Sequence, residues 1–281
     1  MCVIVSVYKL PDFDRKTRDE IMSKIYVQAH YNQDGVGIIG AKYDMPRIQT
    51  IRRLSLETIN LREVFEKNDV INIHLRQATH GNVSAHNIHF WRADNWFFAH
   101  NGVVGRFAYG QNKDLVISDS QLFFREVIKK GYLKDTKLKV KKIKKLASDL
   151  SFWGRAVFFN KLTKQTMYFG DFYVYVIKGR AIVVSTAPID FKIYHNVWGL
   201  RFIEDKPVFE REVDGVFCID AQKQRYEYFM PFVKIGEGGT RYSDNEYSYE
   251  FKGKKYKQDY ETGDWQEEME FDNPLVPKNK C

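Results

Sequence analysis

The chain begins with the stretch MCVIVSVYK, residues 1–9. Its run of β-branched and apolar residues is typical of a buried strand, although chain termini usually fray unless something holds them. The stretch has neither a basic segment nor a long apolar segment, so it does not have the pattern of a secretory signal peptide. We therefore predict a first strand that begins almost at residue 1 and ends near Tyr8.

Beyond this strand, the order strand, helix, strands, helices, strands favours an α+β fold in which helices cover sheets. The spacing of apolar residues predicts helices over 14–29, 61–67 and 136–150, and Ser118 before an apolar stripe predicts a further helix start. Alternating or β-rich runs predict strands at 38–42, 70–75 and 96–100, and an antiparallel meander at 155–160, 166–169, 172–177 and 181–185.

The composition is that of a globular protein with a sizeable core: 281 residues, 44% of them hydrophobic and 15% aromatic. No apolar run reaches the roughly 18 residues of a membrane helix, and we predict no cofactor. Cys2, Cys218 and Cys281 are widely spaced and odd in number, so they do not indicate a disulfide framework and favour a cytoplasmic location.

The last 48 residues differ from the rest in charge. The run Gly236-Glu237-Gly238-Gly239 has the composition of a linker, and residues 234–281 contain 8 basic and 11 acidic residues, a net charge of −3. Since the whole chain carries +8, residues 1–233 carry +11. We predict one domain over 1–233 and a polar, tyrosine-rich C-terminal extension over 234–281 that is weakly folded or depends on a partner.

Cys2 is a candidate nucleophile because of its position. Removal of Met1, which a small second residue favours, would leave a thiol and a free α-amine on one residue. An α-amine has a pKa of about 7.7–8.0, so it can accept the thiol proton directly or through a water molecule. The alternative is that Cys2 is a small buried strand residue, the usual role of a free cysteine.

Three further motifs contain groups that suit an amide substrate. RQATHG, residues 76–81, follows a strand, and an arginine there can hold a carboxylate through two parallel hydrogen bonds. Asn101-Gly102 is predicted to be a tight turn after a strand, and both residues offer donors for an oxyanion. Asp119 begins a helix and could receive a substrate ammonium. Taken singly, these residues could instead form an ion pair, a hairpin turn and a helix cap.

Together and in this order, these elements resemble the class II glutamine amidotransferases, which belong to the N-terminal nucleophile hydrolases. The resemblance runs from Cys2 through NQDGVG (32–37), RQATHG (76–81) and HNG (100–102) to Ser118-Asp119, roughly the first 125 residues. It implies a four-layer αββα sandwich, with which the β-rich stretch 155–185 is compatible.

The resemblance implies that Cys2 is the nucleophile, that its amine is the base, and that Asn101 and Gly102 form the oxyanion hole. The implied reaction forms a γ-glutamyl thioester, releases ammonia and hydrolyses the thioester to glutamate. Two positions depart from the family pattern without removing a catalytic group: Val3 stands where glycine is common, and His89-Phe90-Trp91 stands where His-Pro-Phe is frequent.

For the substrate, the resemblance implies that Arg76 binds the α-carboxylate of glutamine, helped by the backbone of Thr79 and His80, and that Asp119 binds the α-amine. These two charges favour glutamine over a generic amide. The C-terminal extension is too short for a synthase domain, so the acceptor of ammonia would be a separate chain or absent. The alternatives are hydrolysis of another γ-glutamyl or amide substrate, and a basic protein on this fold that binds nucleic acid or a partner.

Two further clusters of residues are candidate sites. Five of the seven histidines lie between residues 74 and 100, but their spacing matches no specific zinc pattern, so we predict no metal. Lys129–Lys145 contains nine lysines, which form a solvated face or a docking surface for nucleic acid or an acidic partner. Tyr132 is the one aromatic residue in that run, which argues against base stacking.

Overall fold

In the computed structural model of the chain, residues 2–109, 116–177 and 180–189 are described in full. For the later strands the backbone is described at 200–203, 206–220, 225–230, 248–251 and 254–257, with side chains at 216–219. Met1 therefore lies outside the described residues, as does most of the predicted extension over 234–281.

Fourteen strands and five α-helices make up the described fold. The strands are β1 (Val3–Lys9), β2 (Val36–Ala41), β3 (Ile48–Arg53), β4 (Val70–Leu75), β5 (Trp91–Ala93), β6 (Trp96–Val104), β7 (Phe152–Asn160), β8 (Thr166–Ile177), β9 (Ala181–Ser185), β10 (Leu200–Ile203), β11 (Lys206–Asp220), β12 (Arg225–Met230), β13 (Ser248–Phe251) and β14 (Lys254–Lys257). The helices are α1 (Arg15–His30), α2 (Leu61–Lys67), α3 (Gly105–Ala108), α4 (Asp119–Lys129) and α5 (Val140–Asp149), with short 3₁₀ turns at Leu56–Thr58 and Ala85–Asn87.

Twelve of these strands form one antiparallel sheet, which confirms the predicted α+β class. Nine of them lie in the order β3-β2-β4-β1-β9-β8-β7-β6-β5, while β11 pairs with β8 and carries β10 and β12 beside it. The sheet branches at β8. Residues 166–169 of β8 pair with β7, residues 173–177 pair with β9, and β11 pairs along 166–177. Gly170 lies where the neighbour changes, at a φ of 108° that favours glycine.

Three apolar clusters surround this sheet. The first packs α1 and α2 against β1, β2, β4 and β9, and the third packs α4 and α5 against β6 and β7. The second contains no helical residue in the described part of the chain and joins residues from both halves of the sheet, such as Ile4 and Phe97. Because successive strand side chains point to opposite faces, Val5 belongs to the first cluster while Ile4 belongs to the second.

The predicted elements before residue 130 are largely confirmed. The helix over 61–67 and the strand over 70–75 have the predicted bounds. Helix α1 begins after Asp14, whose carboxylate accepts the N–H of Thr17, and α4 begins after Ser118, whose hydroxyl accepts the N–H of Gln121.

Two local predictions are wrong. Asn101-Gly102 is no turn, because β6 continues through both residues to Val104 and pairs them with Arg155 and Gly154 of β7. The helix predicted over 136–150 begins only at Val140, since residues 134–139 form a turn closed by backbone hydrogen bonds. The predicted strands 166–169 and 172–177 are one continuous strand, β8.

The C-terminal part is described in fragments. Within the predicted extension, β13 and β14 pair as a two-stranded antiparallel sheet. Cys218 of β11 is buried, and Cys2 is a free thiol. Among the described residues, none of the helices has the length and apolar character of a membrane span.

Candidate active site

Cys2 lies just before β1. It is beside Gln77, the second residue after β4. Its Sγ is 3.3 Å from the carbonyl oxygen of Gln77 and accepts the Gln77 N–H at 3.4 Å. Burial raises the pKa of the Cys2 thiol above its usual range, while the hydrogen bond from Gln77 and the positive charge of Arg76 act in the opposite direction. The thiol is therefore largely protonated at neutral pH and needs a base to become a nucleophile.

A cavity of about 370 Å³ opens beside this thiol. Its wall includes the predicted nucleophile and one of the two predicted oxyanion donors, together with amide, hydroxyl and guanidinium side chains. The lining residues are Cys2, Val3, Gln28, Tyr31, Asn32, Gln77, Asn101, Arg155, Thr186 and Ala187. None of these is acidic, and a concave polar site of this kind suits a small ligand.

Asn101 of β6 also lines the cavity. In the sheet order, β6 and β1 lie on opposite sides of β8. The Asn101 side-chain Nδ2 donates to the hydroxyl oxygen of Thr186 at 2.9 Å, and that oxygen also accepts the N–H of Ile4 at 2.9 Å. Thr186 follows β9, which pairs with β1, so this hydroxyl connects β6 to the strand that carries Cys2. The Asn101 amide is thus held in one orientation beside the cavity.

Gly102, the second predicted oxyanion donor, is not among the cavity-lining residues. It lies opposite Gly154 in β7, and a Cβ added to Gly102 would be 1.9 Å from the carbonyl oxygen of Trp153. The backbone of Trp153 therefore excludes a side chain at residue 102. This steric requirement is independent of the predicted role of the Gly102 N–H in the oxyanion hole.

Arg76 is buried behind the cavity wall and does not line it. Its two terminal nitrogens donate to the carbonyl oxygens of Asn82, at 3.2 Å, and His80, at 3.1 Å. Negative charge of Asp34 and Asp119 raises the pKa of Arg76, although burial lowers it more. Arg76 therefore anchors the turn over 80–82 and places its positive charge close to Cys2.

The exposed turn after Arg76 contains the other predicted substrate contacts. Thr79 is exposed, while His80 is half-buried and its ring meets Tyr109 edge-on at 5.3 Å between centroids. Asp34 of the NQDGVG motif accepts the N–H of Ala78 at 2.7 Å. This carboxylate therefore helps to hold the turn, a role that the motif by itself did not reveal.

Asp119 is buried at the start of α4 and does not cap that helix, since Ser118 does. One of its oxygens accepts the N–H of Val104 at 2.6 Å, at the end of β6. The other lies 3.4 Å from the Ser120 hydroxyl. Asp119 therefore joins α4 to the strand of Asn101, and its charge acts on Arg76.

Three buried histidines lie together behind these residues, and the rings of His74 and His89 are stacked. The rings of His74 and His89 are 3.7 Å apart between centroids, and His89 Nδ1 accepts the N–H of His100 at 3.2 Å. His74 Nε2 contacts the His100 carbonyl oxygen at 3.1 Å. Burial lowers the pKa of His74 to about 3 and that of His100 to about 4, and it lowers the pKa of His89 well below its usual range. The three histidines are therefore uncharged at neutral pH.

Eight of the ten lining residues lay outside the predicted site, among them Gln77, Arg155 and Thr186. Gln77 is inside the RQATHG motif, so its position after a strand was a usable signal. Arg155 and Thr186 carry no local signal, because pairing of β7 with β6 and of β9 with β1 brings them to the cavity. In the described part of the chain, no group of three or more His, Cys, Asp or Glu side chains is arranged to hold a metal ion.

No protein-family model and no curated protein matches the chain. Among solved structures, it is similar to glutamine phosphoribosylpyrophosphate amidotransferase from B. subtilis, with 15% identity, a TM-score of 0.44 and coverage of 75% of this chain and 49% of that one. It is also similar to a glutamine aminotransferase class-II domain protein from Silicibacter pomeroyi, with 14% identity, a TM-score of 0.48 and coverage of 83% and 100%.

A predicted glutamine amidotransferase from Pseudomonas aeruginosa is similar as well, with 14% identity, a TM-score of 0.41 and coverage of 77% and 92%. The chain spans about half the length of the B. subtilis enzyme. Likeness at TM-scores below 0.5 does not by itself assign an activity or a residue to this chain. The structural neighbours are class II glutamine amidotransferase domains, the family that the sequence motifs resemble.

Proposed function

We propose that this chain is a class II glutamine amidotransferase-like amidohydrolase that uses Cys2 as its nucleophile. The observation that carries the proposal is the meeting of Cys2 and Asn101 at one cavity, although the two residues are 99 positions apart. A thiol and a fixed amide donor on one wall are the minimum for attack on a carbonyl and for stabilisation of the resulting oxyanion.

In the proposed reaction, the α-amine of Cys2 takes the thiol proton once Met1 has been removed. The sulfur attacks the side-chain carbonyl carbon of glutamine, and the Asn101 amide, with the Gly102 N–H, stabilises the oxyanion. The C–N bond breaks as the nitrogen takes a proton, which gives ammonia and a γ-glutamyl thioester. Water then attacks the thioester carbon, releases glutamate and restores the thiol. The raised pKa of the Cys2 thiol supports the need for this base.

The head group of glutamine is proposed to lie between Arg76 and Asp119, with the backbone of Thr79 and His80 beside it. The opposite charges of the two buried side chains, which act on each other, match those of an α-amino acid. Each terminal nitrogen of Arg76 donates one N–H to the turn over 80–82, which leaves a second N–H on each for a ligand.

We also infer that the fold is the four-layer αββα sandwich with a catalytic domain over 1–233. The three apolar clusters support this inference, since helices cover the first and third while the second lies between sheet faces. The acceptor of ammonia is proposed to be a separate chain.

The proposal is tested by the release of glutamate from glutamine, with Cys2→Ala as the inactive variant. We expect the variant to keep the wild-type melting temperature and to lose all measurable activity, because it lacks the attacking sulfur. Intact-mass measurement should find Met1 removed and 6-diazo-5-oxo-norleucine attached to Cys2. An active preparation that retains Met1 would contradict the mechanism, since the amine would then be blocked.

A second candidate is hydrolysis of another γ-glutamyl or amide substrate at the same residues. It is favoured by the absence of an acidic residue from the described cavity wall, since an ammonium group has no partner there. A comparison of glutamine with γ-glutamyl peptides and with amides that lack the α-amine separates the two candidates. If the amine-free amides are turned over faster than glutamine, an amide without an α-amine is the substrate instead of glutamine.

The lysines of Lys129–Lys145 are proposed to contact an acidic partner or nucleic acid. Eight of the nine are exposed, on the C-terminal end of α4, the following loop and α5, while Ile143 and Leu146 of α5 face the core. We expect binding through this lysine surface to be independent of base sequence, because lysine contacts phosphate as a point charge.

A further inference from the structure

Arg155 is the charged residue of the cavity wall, and neither the motifs nor the proposed mechanism uses it. It lies on β7 directly opposite Asn101 of β6. Residues in such a pair project from the same face of an antiparallel sheet, with Cβ atoms about 5 Å apart. The guanidinium therefore stands beside the proposed oxyanion donor.

The side chain of Arg155 is held in place by β8. Its Nε donates to the Asp171 carbonyl oxygen at 3.0 Å, and its Nη2 forms a very short ion pair with the Asp171 carboxylate. Gly170 leaves the room that this arrangement needs, because a Cβ there would be 3.2 Å from Arg155 Cγ. Two contacts to one residue fix the plane of the guanidinium, so its free edge has a defined direction.

That free edge is available to a ligand. Nη1 of Arg155 donates to no group among the described residues, the side chain is 21% exposed, and the residue lines the cavity. The described wall of the cavity contains no carboxylate that could satisfy it. Arg76 is different. Both of its terminal nitrogens donate hydrogen bonds to backbone carbonyl oxygens, and it is not among the residues that line the cavity.

We propose that Arg155 binds a carboxylate of the amide substrate and thereby determines substrate specificity, an inference that rests on the proposed function of Cys2. Two sources have this chemistry: the α-carboxylate of glutamine, which would then be bound by Arg155 instead of Arg76, or a carboxylate on the group attached to the amide nitrogen.

The test is binding of three probes to the full-length Cys2→Ala chain by isothermal titration calorimetry. The probes are L-glutamine, L-glutamine α-amide, which lacks the carboxylate charge, and γ-glutamylglycine, which adds a carboxylate on the leaving side. Each is titrated into proteins that carry Arg155 or Arg155→Gln. If Arg155 binds the α-carboxylate, Arg155→Gln lowers the affinity for glutamine and for γ-glutamylglycine at least about tenfold and leaves the affinity for the α-amide unchanged. A tenfold loss is the equivalent of one charge-assisted hydrogen bond. If the carboxylate on the leaving side is bound instead, Arg155→Gln weakens the binding of γ-glutamylglycine only.

Arg155→Gln removes the ion pair with the buried Asp171 carboxylate, so the double variant Arg155→Gln/Asp171→Asn is titrated as well, with melting temperatures as the folding check. Arg125→Gln, at an exposed position of α4, is the matched control and should change no affinity. Equal affinities with and without Arg155 overturn the assignment, as does equal weakening of all three probes or binding of none.

The two proposals fail separately. Arg155-dependent binding to the Cys2→Ala chain, without hydrolysis by the chain that retains Cys2, refutes the amidohydrolase function and keeps the carboxylate site. Hydrolysis of glutamine, with affinities that ignore Arg155, refutes the carboxylate site and keeps the function.

Discussion

Asn101 and Thr186 are joined by a hydrogen bond of 2.9 Å between the amide Nδ2 and the hydroxyl Oγ1. The same oxygen accepts the N–H of Ile4, so one hydroxyl satisfies two buried donors from different strands. This contact closes the cavity between the two halves of the sheet and orients the amide of Asn101 beside Cys2.

Thr186→Val should therefore lower both stability and turnover. The substitution keeps the shape of the side chain but leaves two buried N–H donors without an acceptor, which costs about 2 kcal/mol or more. We expect this loss in urea unfolding and a lower kcat for glutamine, with a smaller change in KM, because the proposed role of Asn101 is to stabilise the oxyanion rather than to bind substrate. Thr186→Ser keeps the hydroxyl and should restore most of both quantities. Wild-type stability and kcat in Thr186→Val would contradict this role.

Gly154→Ala should disrupt the site by steric overlap. A Cβ at residue 154 would lie 2.2 Å from the Asn101 carbonyl oxygen and 2.7 Å from Gly102 Cα. Both are backbone atoms of a paired strand, so the overlap requires β6 and β7 to separate locally, and we expect a loss of about 3 kcal/mol in the free energy of unfolding.

Gly131→Ala is the matched control for this steric argument. Gly131 also has a positive φ, of 60°, but nothing lies within 4 Å of an added Cβ. Its substitution should cost only the conformational term of about 1 kcal/mol. Equal losses in the two variants, measured by urea unfolding, would show that backbone conformation rather than close approach determines the cost.

Stability should fall as the solution is acidified below pH 6.5. The folded chain keeps His74 and His100 neutral, with pKa values of about 3 and about 4, and the pKa of His89 is lowered as well. In the unfolded chain these groups take up protons below about pH 6.5. The unfolded state then binds more protons, so the free energy of unfolding decreases by about 1.4 kcal/mol per pH unit for each histidine until the pH nears the folded values.

Urea unfolding at pH 7.5, 6.5 and 5.5 measures this decrease. The slope should steepen below pH 6.5 and remain in His30→Gln, which removes an exposed histidine of α1. A free energy of unfolding that is constant from pH 7.5 to 5.5 would show that the three buried rings are protonated in the folded protein.

The lysine surface should bind duplex DNA of unrelated sequences with equal affinity. The logarithm of the binding constant should fall linearly with the logarithm of the salt concentration, with a slope of about −0.9 for each phosphate neutralised. Lys141→Glu/Lys145→Glu should reduce binding and flatten the slope. Arg47→Glu/Arg62→Glu makes the same change of net charge at exposed positions outside the lysine surface and serves as the control. No binding at low salt would leave an acidic protein as the partner.

Much of the secondary structure could be predicted from local sequence. Helix α2 and strand β4 have the predicted bounds because apolar periodicity and capping residues act within a few positions. Asn101-Gly102 was misjudged for the same reason: the pair has the composition of a turn, but hydrogen bonds to Arg155 and Gly154, more than 50 positions away, keep it extended. Such long-range pairing overrides local preference in strands.

The sequence by itself determined the α+β class, the first strand behind Cys2, and the polar residues placed at element ends, since each depends on neighbouring positions along the chain. Only the tertiary structure decided that Asn101, Thr186 and Arg155 share a cavity with Cys2 and that Arg76 stands behind its wall. Those positions follow from strand order and from the branch at β8, which are set by contacts between residues far apart in sequence. No local pattern carries that information.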